Sequence, residues 1–353
     1  MKMEDYLFLE KMFIDAVNLE EPEYVPATPH FQGTFLAYII GVPPSTWYRD
    51  SKLILDSNLK VLQKFPTLIV FPGLRPRSGS LVEPSALGCK VEWPEKGVPM
   101  PMPIIKDVQD IKKLQIPDFN KDGLGPMVLE HYRYIRDKVG DKYPINTAEA
   151  LGPLDMASYL RGITELLKDF YFNPDWIHEL LDITAEVCIA WIKTQDETLG
   201  GLKKVFISED TVGFIRPEFY KEFVFPYDRK VFKALPDRCI GIYHCGSNST
   251  HILEMIPDTS AKVFYFGSDV DIAHIKKKIG GKICLMGNVH PLKLLLKGTP
   301  KDVEEECKRL IKIAGPGGGY ILGTGEGINE GTPLNNIDAM IISSKKYGKY
   351  PIK

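Results

Sequence analysis

Eight short apolar segments, each closed by a turn residue and separated by helical patterns, constrain this chain more than any other feature. They run Tyr24 to Phe31, Thr67 to Leu74, Pro144 to Gly152, Lys203 to Asp210, Cys239 to Gly246, Lys262 to Ser268, Lys282 to Asn288 and Gly319 to Gly325. The last four are rich in Ile, Val, Phe, Tyr or Leu without clean alternation, as expected of strands buried on both faces. Between them lie helical patterns. Asn173-Pro174-Asp175 opens a long one, with an Asn N-cap, Pro in the first turn, and Trp176, Leu180, Leu181, Ile183, Val187 and Trp191 at helical spacing. Thr299-Pro300-Lys301-Asp302 opens another, with a Thr N-cap and acids suited to the helix dipole.

Strand and helix repeated eight times predict an α/β fold of the (β/α)8 TIM-barrel type. One domain spanning 1–353 accommodates the whole chain. The alternative is an open doubly wound sheet, but no Gly-x-Gly-x-x-Gly follows the first strand to support it. Residues 75–117, rich in proline and poor in periodicity, are too long for a plain connection. They are expected to form an insertion or lid after strand two.

Composition removes several function classes. The formal net charge is −2, so no bulk basic field points to nucleic acid or an anionic membrane. No apolar run approaches the roughly 20 residues of a membrane span. The start, Met1-Lys2-Met3-Glu4-Asp5, is too polar for a secretory signal. The six cysteines are scattered without paired spacing, and a reducing cytoplasm is the default expectation.

In a parallel barrel the carboxyl ends of the strands converge on one face, where chemistry sits. That rule gathers His30 from strand one, Arg75 and Arg77 after strand two, and Glu149 from strand three. It adds Glu209 and Asp210 from strand four, Tyr243, His244 and Cys245 from strand five, Asn288 and His290 after strand seven, and Glu326 after strand eight. Acids, imidazoles and a thiol together suggest an enzyme. Adjacent strand residues point to opposite faces, so only one of His244 and Cys245 normally enters the mouth. Two readings of the pair stand: a Zn²⁺ site, or a core cysteine beside a hydrogen-bonded histidine. Glu209 and Asp210 also face opposite ways. Glu149 lies in an apolar setting where a carboxylate needs a partner, so it is a functional candidate or half of a buried ion pair. His251 reads as structural. Arg75 and Arg77 suit a substrate carboxylate or phosphate, or a solvated loop.

Several stretches together resemble the uroporphyrinogen decarboxylase-like superfamily. They are Gly152-Pro153-Leu154-Asp155-Met156-Ala157 with Leu160-Arg161-Gly162, and Glu209-Asp210-Thr211-Val212-Gly213-Phe214 with Pro217-Glu218. Next come His244-Cys245-Gly246 with Asn248 and Thr250, and Gly287-Asn288-Val289-His290-Pro291. The last is Gly319-Tyr320-Ile321-Leu322 through Gly331-Thr332-Pro333-Leu334-Asn335-Asn336-Ile337. Within the superfamily the pattern is similar to the corrinoid-dependent methyltransferases. The resemblance implies Zn²⁺ bound by a His-x-Cys on strand five and a late Cys. This chain departs from both, with His244 and Cys245 adjacent and Glu326 at the late position. The implied metal ligands are therefore His244, Cys245 and Glu326. Glu149, Asp210 and His290 are the implied catalytic groups, and His30, Tyr243 and Asn288 the implied substrate contacts.

The implied activity is zinc-dependent methyl transfer, a part of one-carbon metabolism, between a small molecule and a corrinoid (cobalamin-type) cofactor carried by a separate partner protein. The rivals are a metal-free decarboxylase of a uroporphyrinogen-type acid and a non-catalytic binding protein on the same barrel. Against the decarboxylase, the first loop, Pro26-Ala27-Thr28-Pro29-His30-Phe31-Gln32-Gly33, holds no arginine for an acidic tetrapyrrole.

Overall fold

A computed structural model describes residues 3–352 apart from Val70 and Pro72. Its strands are β1 (Ala27–Thr28), β2 (Val91–Glu92), β3 (Met100–Pro101), β4 (Thr147–Leu151), β5 (Lys204–Ser208), β6 (Ile240–Cys245), β7 (Val263–Phe266), β8 (Cys284–Val289) and β9 (Tyr320–Thr324). Seven of them form one sheet in the order β1-β9-β8-β7-β6-β5-β4, and β2 and β3 pair separately. Every pairing in the large sheet is parallel. The first strand pairs with the last, so the sheet curls, as repeated right-handed strand–helix–strand units require.

Seven of the eight expected segments therefore hold a strand. The second, Thr67 to Leu74, opens with a 3₁₀ turn at Pro66–Ile69, and Val70 and Pro72 lie outside the described residues. The Phe71 ring nonetheless faces the interior, 6.1 Å from Phe206 and 6.4 Å from Tyr265. The Thr28 hydroxyl donates to the Phe71 carbonyl. The Arg75–Pro117 stretch has secondary structure of its own. It holds a 3₁₀ turn at Gly79–Leu81, the helix Val82–Ala86, the β2–β3 hairpin and a 3₁₀ turn at Val108–Lys113.

Strand alternation sorts the sheet into two apolar layers. Phe206, Ile242, Val263, Tyr265, Cys284, Met286 and Ile321 face inward and pack with Phe71. Phe13 and Ala16, from the amino-terminal helix Met3–Val17, join this inner cluster. Near the amino ends of the strands, buried Lys204 reaches Glu10 of that helix at 2.9 Å. The neighbouring strand residues Val205, Ile207, Tyr243, Cys245, Phe264, Leu285 and Leu322 face outward into the helix layer. Fully burying each such side chain stabilises the fold by about 1.5–3 kcal/mol before chain entropy is counted.

Some helix starts carry side-chain caps, Asp50, Asp271 and Thr299 among them, while others such as Pro153–Arg161 and Ile163–Phe172 have none. Thr299 and Asp302 form the expected reciprocal capping box. Asn173 does not cap Pro174–Leu199 with its side chain, which donates to Asp169 Oδ1 at 2.7 Å instead. That bond to a carboxylate is charge-assisted and sets the side-chain amide toward Asp169, so Asn173 Oδ1 makes no cap bond to the free N–H groups of the helix start. No helix among the described residues is long and apolar enough to cross a membrane.

Candidate functional site

A cavity of about 510 Å³ opens at the carboxyl ends of the strands. His30, Arg77, Glu149, Phe206, Asp210, His244 and Glu326 are among its walls. The inward phase of β6 carries it there: Ile242, then His244, then Gly246. His244 is buried, and its ring stands 4.3 Å from Tyr265 and 5.0 Å from Phe206. Its Nδ1 lies 3.2 Å from the Tyr265 carbonyl, which can only accept, so Nδ1 carries the proton. That leaves Nε2 with a lone pair, 3.8 Å from Asp210 Oδ1. Burial pulls the His244 pKa down to about 4, so at neutral pH an uncharged imidazole faces the carboxylate.

Asp210 and Glu326 complete this corner. A β-carbon placed on Gly246 would lie 3.2 Å from Glu326 Cγ, 3.3 Å from Asp210 Oδ1 and 3.5 Å from His244 Nε2. Glycine is the residue that lets three functional side chains crowd one backbone position. Asp210 Oδ1 accepts from the Gly246 amide at 2.5 Å. Glu326 Oε1 accepts from the Ser268 amide at 2.8 Å, and both its oxygens lie 3.0 Å from the Ser268 hydroxyl. Lost hydration in the cleft raises both carboxyl groups. Of the Asp210 side chain, 49% still meets solvent at the mouth.

Asp210 is held from behind by Asp155. The Asp155 carboxylate accepts from the Asp210 and Thr211 amides and the Ser208 hydroxyl. Glu209 turns the other way, buried, and accepts from the Leu154 and Asp155 amides at the start of helix Pro153–Arg161. The two acids thus divide between mouth and scaffold as strand alternation requires. Asp155 lies in the Gly-Pro-Leu-Asp stretch that carries the family resemblance, yet nothing in its local pattern marked it as a support for Asp210.

Other expected site residues lie elsewhere. Tyr243, expected to touch substrate, is fully buried on the outer face. Its hydroxyl donates to Asp228 at 2.9 Å, and its ring stacks on Phe232. Cys245, expected to bind metal, also faces outward, and its thiol contacts the Ser247 hydroxyl and carbonyl. Burial raises that thiol further above its ordinary value, the reverse of what a thiolate ligand needs. Asn288 is buried and donates to the Gly267 and Val270 carbonyls. His290 caps the helical turn Pro291–Leu296, its Nδ1 accepting from the Leu292 and Lys293 amides. His251 bonds the Val212 carbonyl, in keeping with its structural reading.

Glu149 does line the cavity, but its acceptor sites are taken. It pairs with Arg75 and accepts from the Ser78 amide at 2.6 Å, the Ser78 hydroxyl at 2.8 Å and the Gly79 amide at 3.2 Å. It is therefore an anchor for the Arg75–Gly79 loop. His30 does face the cavity, its Nδ1 3.2 Å from the Tyr265 hydroxyl, and burial with nearby Arg77 keeps it neutral.

The ligand set His244–Cys245–Glu326 does not fit a zinc ion, since the thiol lies on the far side of the strand. Nitrogen and oxygen donors remain at the mouth, from His244, Asp210 and Glu326. No group of three or more His, Cys, Asp or Glu side chains is gathered for a metal among the described residues. Changing Cys245→Ala is thus expected to cost about 1 kcal/mol of stability from lost packing and to leave metal content unchanged. Elemental analysis of the two proteins, purified alike with zinc present, checks this. Loss of a stoichiometric metal in the variant would restore Cys245 as a ligand.

A parallel, curled α/β sheet with imidazole and paired carboxylates at its carboxyl end defines an enzyme-like barrel architecture. The uroporphyrinogen decarboxylase (URO-D) family model matches residues 9–347, and the chain belongs to that family. Its relatives carry more than one activity. It is 26% identical over 286 residues to a methylcobamide:CoM methyltransferase MtbA of Methanosarcina acetivorans, covering 80% of this chain and 81% of the relative. It is 27% identical over 316 residues to a uroporphyrinogen decarboxylase of Methylobacillus flagellatus, covering 84% and 85%. A solved methyltransferase from Methanosarcina mazei superposes with a TM-score of 0.81 at 23% identity, covering 96% of this chain and 98% of that one. That superposition establishes the shared fold.

Proposed function

We propose that this protein transfers a methyl group between a small molecule and a corrinoid carried by a partner protein. The observation that carries the reading is the His244 Nε2 lone pair, set beside Asp210 and Glu326 in a cavity sized for a small molecule. When an acceptor X–H attacks the cobalt-bound methyl, the X–C bond forms and the C–Co bond breaks. The bonding pair stays on cobalt as Co(I), and His244 Nε2 takes the proton of X–H. In the reverse direction Co(I) takes the methyl from X–CH₃, and the same nitrogen returns a proton to X only when protonated, so that direction gains as pH falls toward about 4. The Tyr265 carbonyl orients the imidazole, and the Asp210 carboxylate, 3.8 Å from Nε2, stabilises the positive charge once the proton arrives. Because the Cys245 thiol faces away, the proton is assigned to His244 rather than to chemistry at a thiolate-held zinc ion.

Two features of the fold serve this reading. In this reading Phe71, which accepts from the Thr28 hydroxyl and packs on Phe206, marks where an eighth barrel member would lie beside β1. Arg77, Gly79, Ser80 and Val98 of the 75–117 stretch line the cavity, which supports its proposed role as a lid.

The cavity charge favours transfer over porphyrinogen decarboxylation. Arg77 is the one Lys or Arg among its lining residues, against the unpaired acids Asp210 and Glu326. A tetrapyrrole with many carboxylates would meet repulsion there and find a single cation. The test supplies ¹³C-methylcobalamin with thiol, amine and phenol acceptors, then Co(I) cobalamin with ¹³C-methyl donors, and follows the label by NMR. Uroporphyrinogen is assayed in parallel for loss of CO₂. Enzyme-dependent label movement in either direction is expected. Decarboxylation without label movement would replace this reading with the rival.

A further inference from the structure

Behind the Asp210 turn two buried carboxyls meet, ringed by other acids. Glu209 and Asp228 are 0% and 1% exposed, and Asp228 stands on the helix Phe225–Lys233. Both Glu209 oxygens accept backbone amides, Oε1 from Leu154 at 2.9 Å and Oε2 from Asp155 at 3.0 Å. Asp228 Oδ2 accepts the Tyr220 and Tyr243 hydroxyls at 3.0 and 2.9 Å. Asp228 Oδ1 is buried and receives no N–H or hydroxyl. The Glu209 carboxyl reaches the Asp228 carboxyl within hydrogen-bonding distance. The other ionisable groups around the two are Asp155 from helix Pro153–Arg161, Cys188 from helix Pro174–Leu199, Tyr220 from the turn Tyr220–Val224 and Tyr243 from β6. All four are acids, and none is a cation.

Two ionised carboxylates repel and neither can donate, so they bond only when a hydrogen lies between them. Burial, reinforced for Glu209 by the neighbouring Asp228 charge, pushes both carboxyls up. We propose that Asp228 is a positioning residue: it shares a proton with Glu209 at neutral pH, and the O–H···O bridge fixes the turn that presents Asp210 to His244. The bridge ties that turn to the helix Phe225–Lys233, while the two amides that Glu209 accepts tie it to helix Pro153–Arg161. Asp210, next in the chain, is thereby held with Oδ1 3.8 Å from His244 Nε2. Its role as a support for His244 rests on the proposed transfer, and the bridge adds what holds it there.

Asp228→Asn and Asp228→Ala in the full chain test it. Asparagine puts an N–H where Oδ1 stands and keeps an acceptor for the two tyrosines, so it supplies the bridging hydrogen without a bound proton. Alanine supplies none. Wild type should bind one more proton on folding than Asp228→Asn. A carboxyl raised in the folded state contributes stability that is present at low pH and is lost as pH rises toward its folded value, about 7 for Asp228. Across that window the wild-type folding equilibrium constant is expected to fall about tenfold per pH unit relative to Asp228→Asn. The infrared difference spectrum, wild type minus Asp228→Asn at neutral pH, should carry a carboxylic-acid C=O band. Deuterium exchange at the Asp210 and Thr211 amides should be about tenfold or more faster in Asp228→Ala and near wild type in Asp228→Asn. The kcat of methyl transfer should follow the same order, kept by asparagine and lowered by alanine. Parallel pH dependence in wild type and Asp228→Asn, no such infrared band, asparagine and alanine alike in exchange, or an Asp228→Asn protein that does not fold would each overturn the inference. Stability, infrared and exchange read no methyl transfer, so a wild type without transfer activity would sink the proposed function and leave the bridge standing.

Discussion

Replacing His244 with alanine is expected to lower the methyl-transfer rate by about two to four orders of magnitude, the range a positioned proton-transfer group supplies. The effect should fall on kcat more than on KM, since the imidazole acts on the transferred proton. Stability should change little, because the vacated space opens into a cavity that water can fill. The pH profile adds a second readout. Burial lowers the His244 pKa to about 4, so Nε2 is unprotonated and competent throughout the neutral range. The imidazole limb of the wild-type profile is therefore expected well below the ordinary histidine range, with transfer from cobalt to X–H falling as pH drops toward that value. A variant within threefold of wild type would reduce His244 to a wall residue.

The second large effect is on stability. Glu149→Gln preserves shape and can still accept from the Ser78 and Gly79 amides. It leaves Arg75, fully buried, without its carboxylate, and Arg77 beside it. Breaking a buried ion pair from one side costs about 3–5 kcal/mol. Denaturant unfolding should show that loss. The double variant Glu149→Gln with Arg75→Met should recover a large part of it, because the orphaned charge is gone. A loss under about 1 kcal/mol would show the loop is anchored by its backbone hydrogen bonds alone.

These two residues also show where the sequence speaks and where it is silent. The repeating order of strand and helix located seven of the strands, because burial on both faces leaves continuous apolar runs that are visible locally. The Thr67–Leu74 run reads the same way in sequence, yet its described residues open in a 3₁₀ turn. Parity along β6 dictated that His244 and Cys245 face opposite ways. Which one enters the mouth depends on the whole barrel: Ile242 packs inward with Phe13, and the Tyr243 hydroxyl reaches Asp228 in the helix layer. No local pattern contains that choice. The same holds for charge balance. Arg75, Arg77 and Glu149 are legible as ions, but that one pair closes and one cation is left over is a three-body fact spread over more than 70 residues. His290 and Asn288 misled for a simpler reason. Polar residues after a strand serve backbone groups as readily as substrates, and here they do.

The central claim is that His244 Nε2 moves the proton in a methyl transfer at cobalt. Cobalamin absorbance reads it most directly, followed with wild-type protein and His244→Ala at neutral pH in both transfer directions. The account expects wild type to convert methylcobalamin to the Co(I) form, or the reverse, and the variant to lose about a hundredfold or more of that rate. Equal rates in the two proteins, or no cobalt–methyl change with wild type while uroporphyrinogen loses CO₂, would contradict it.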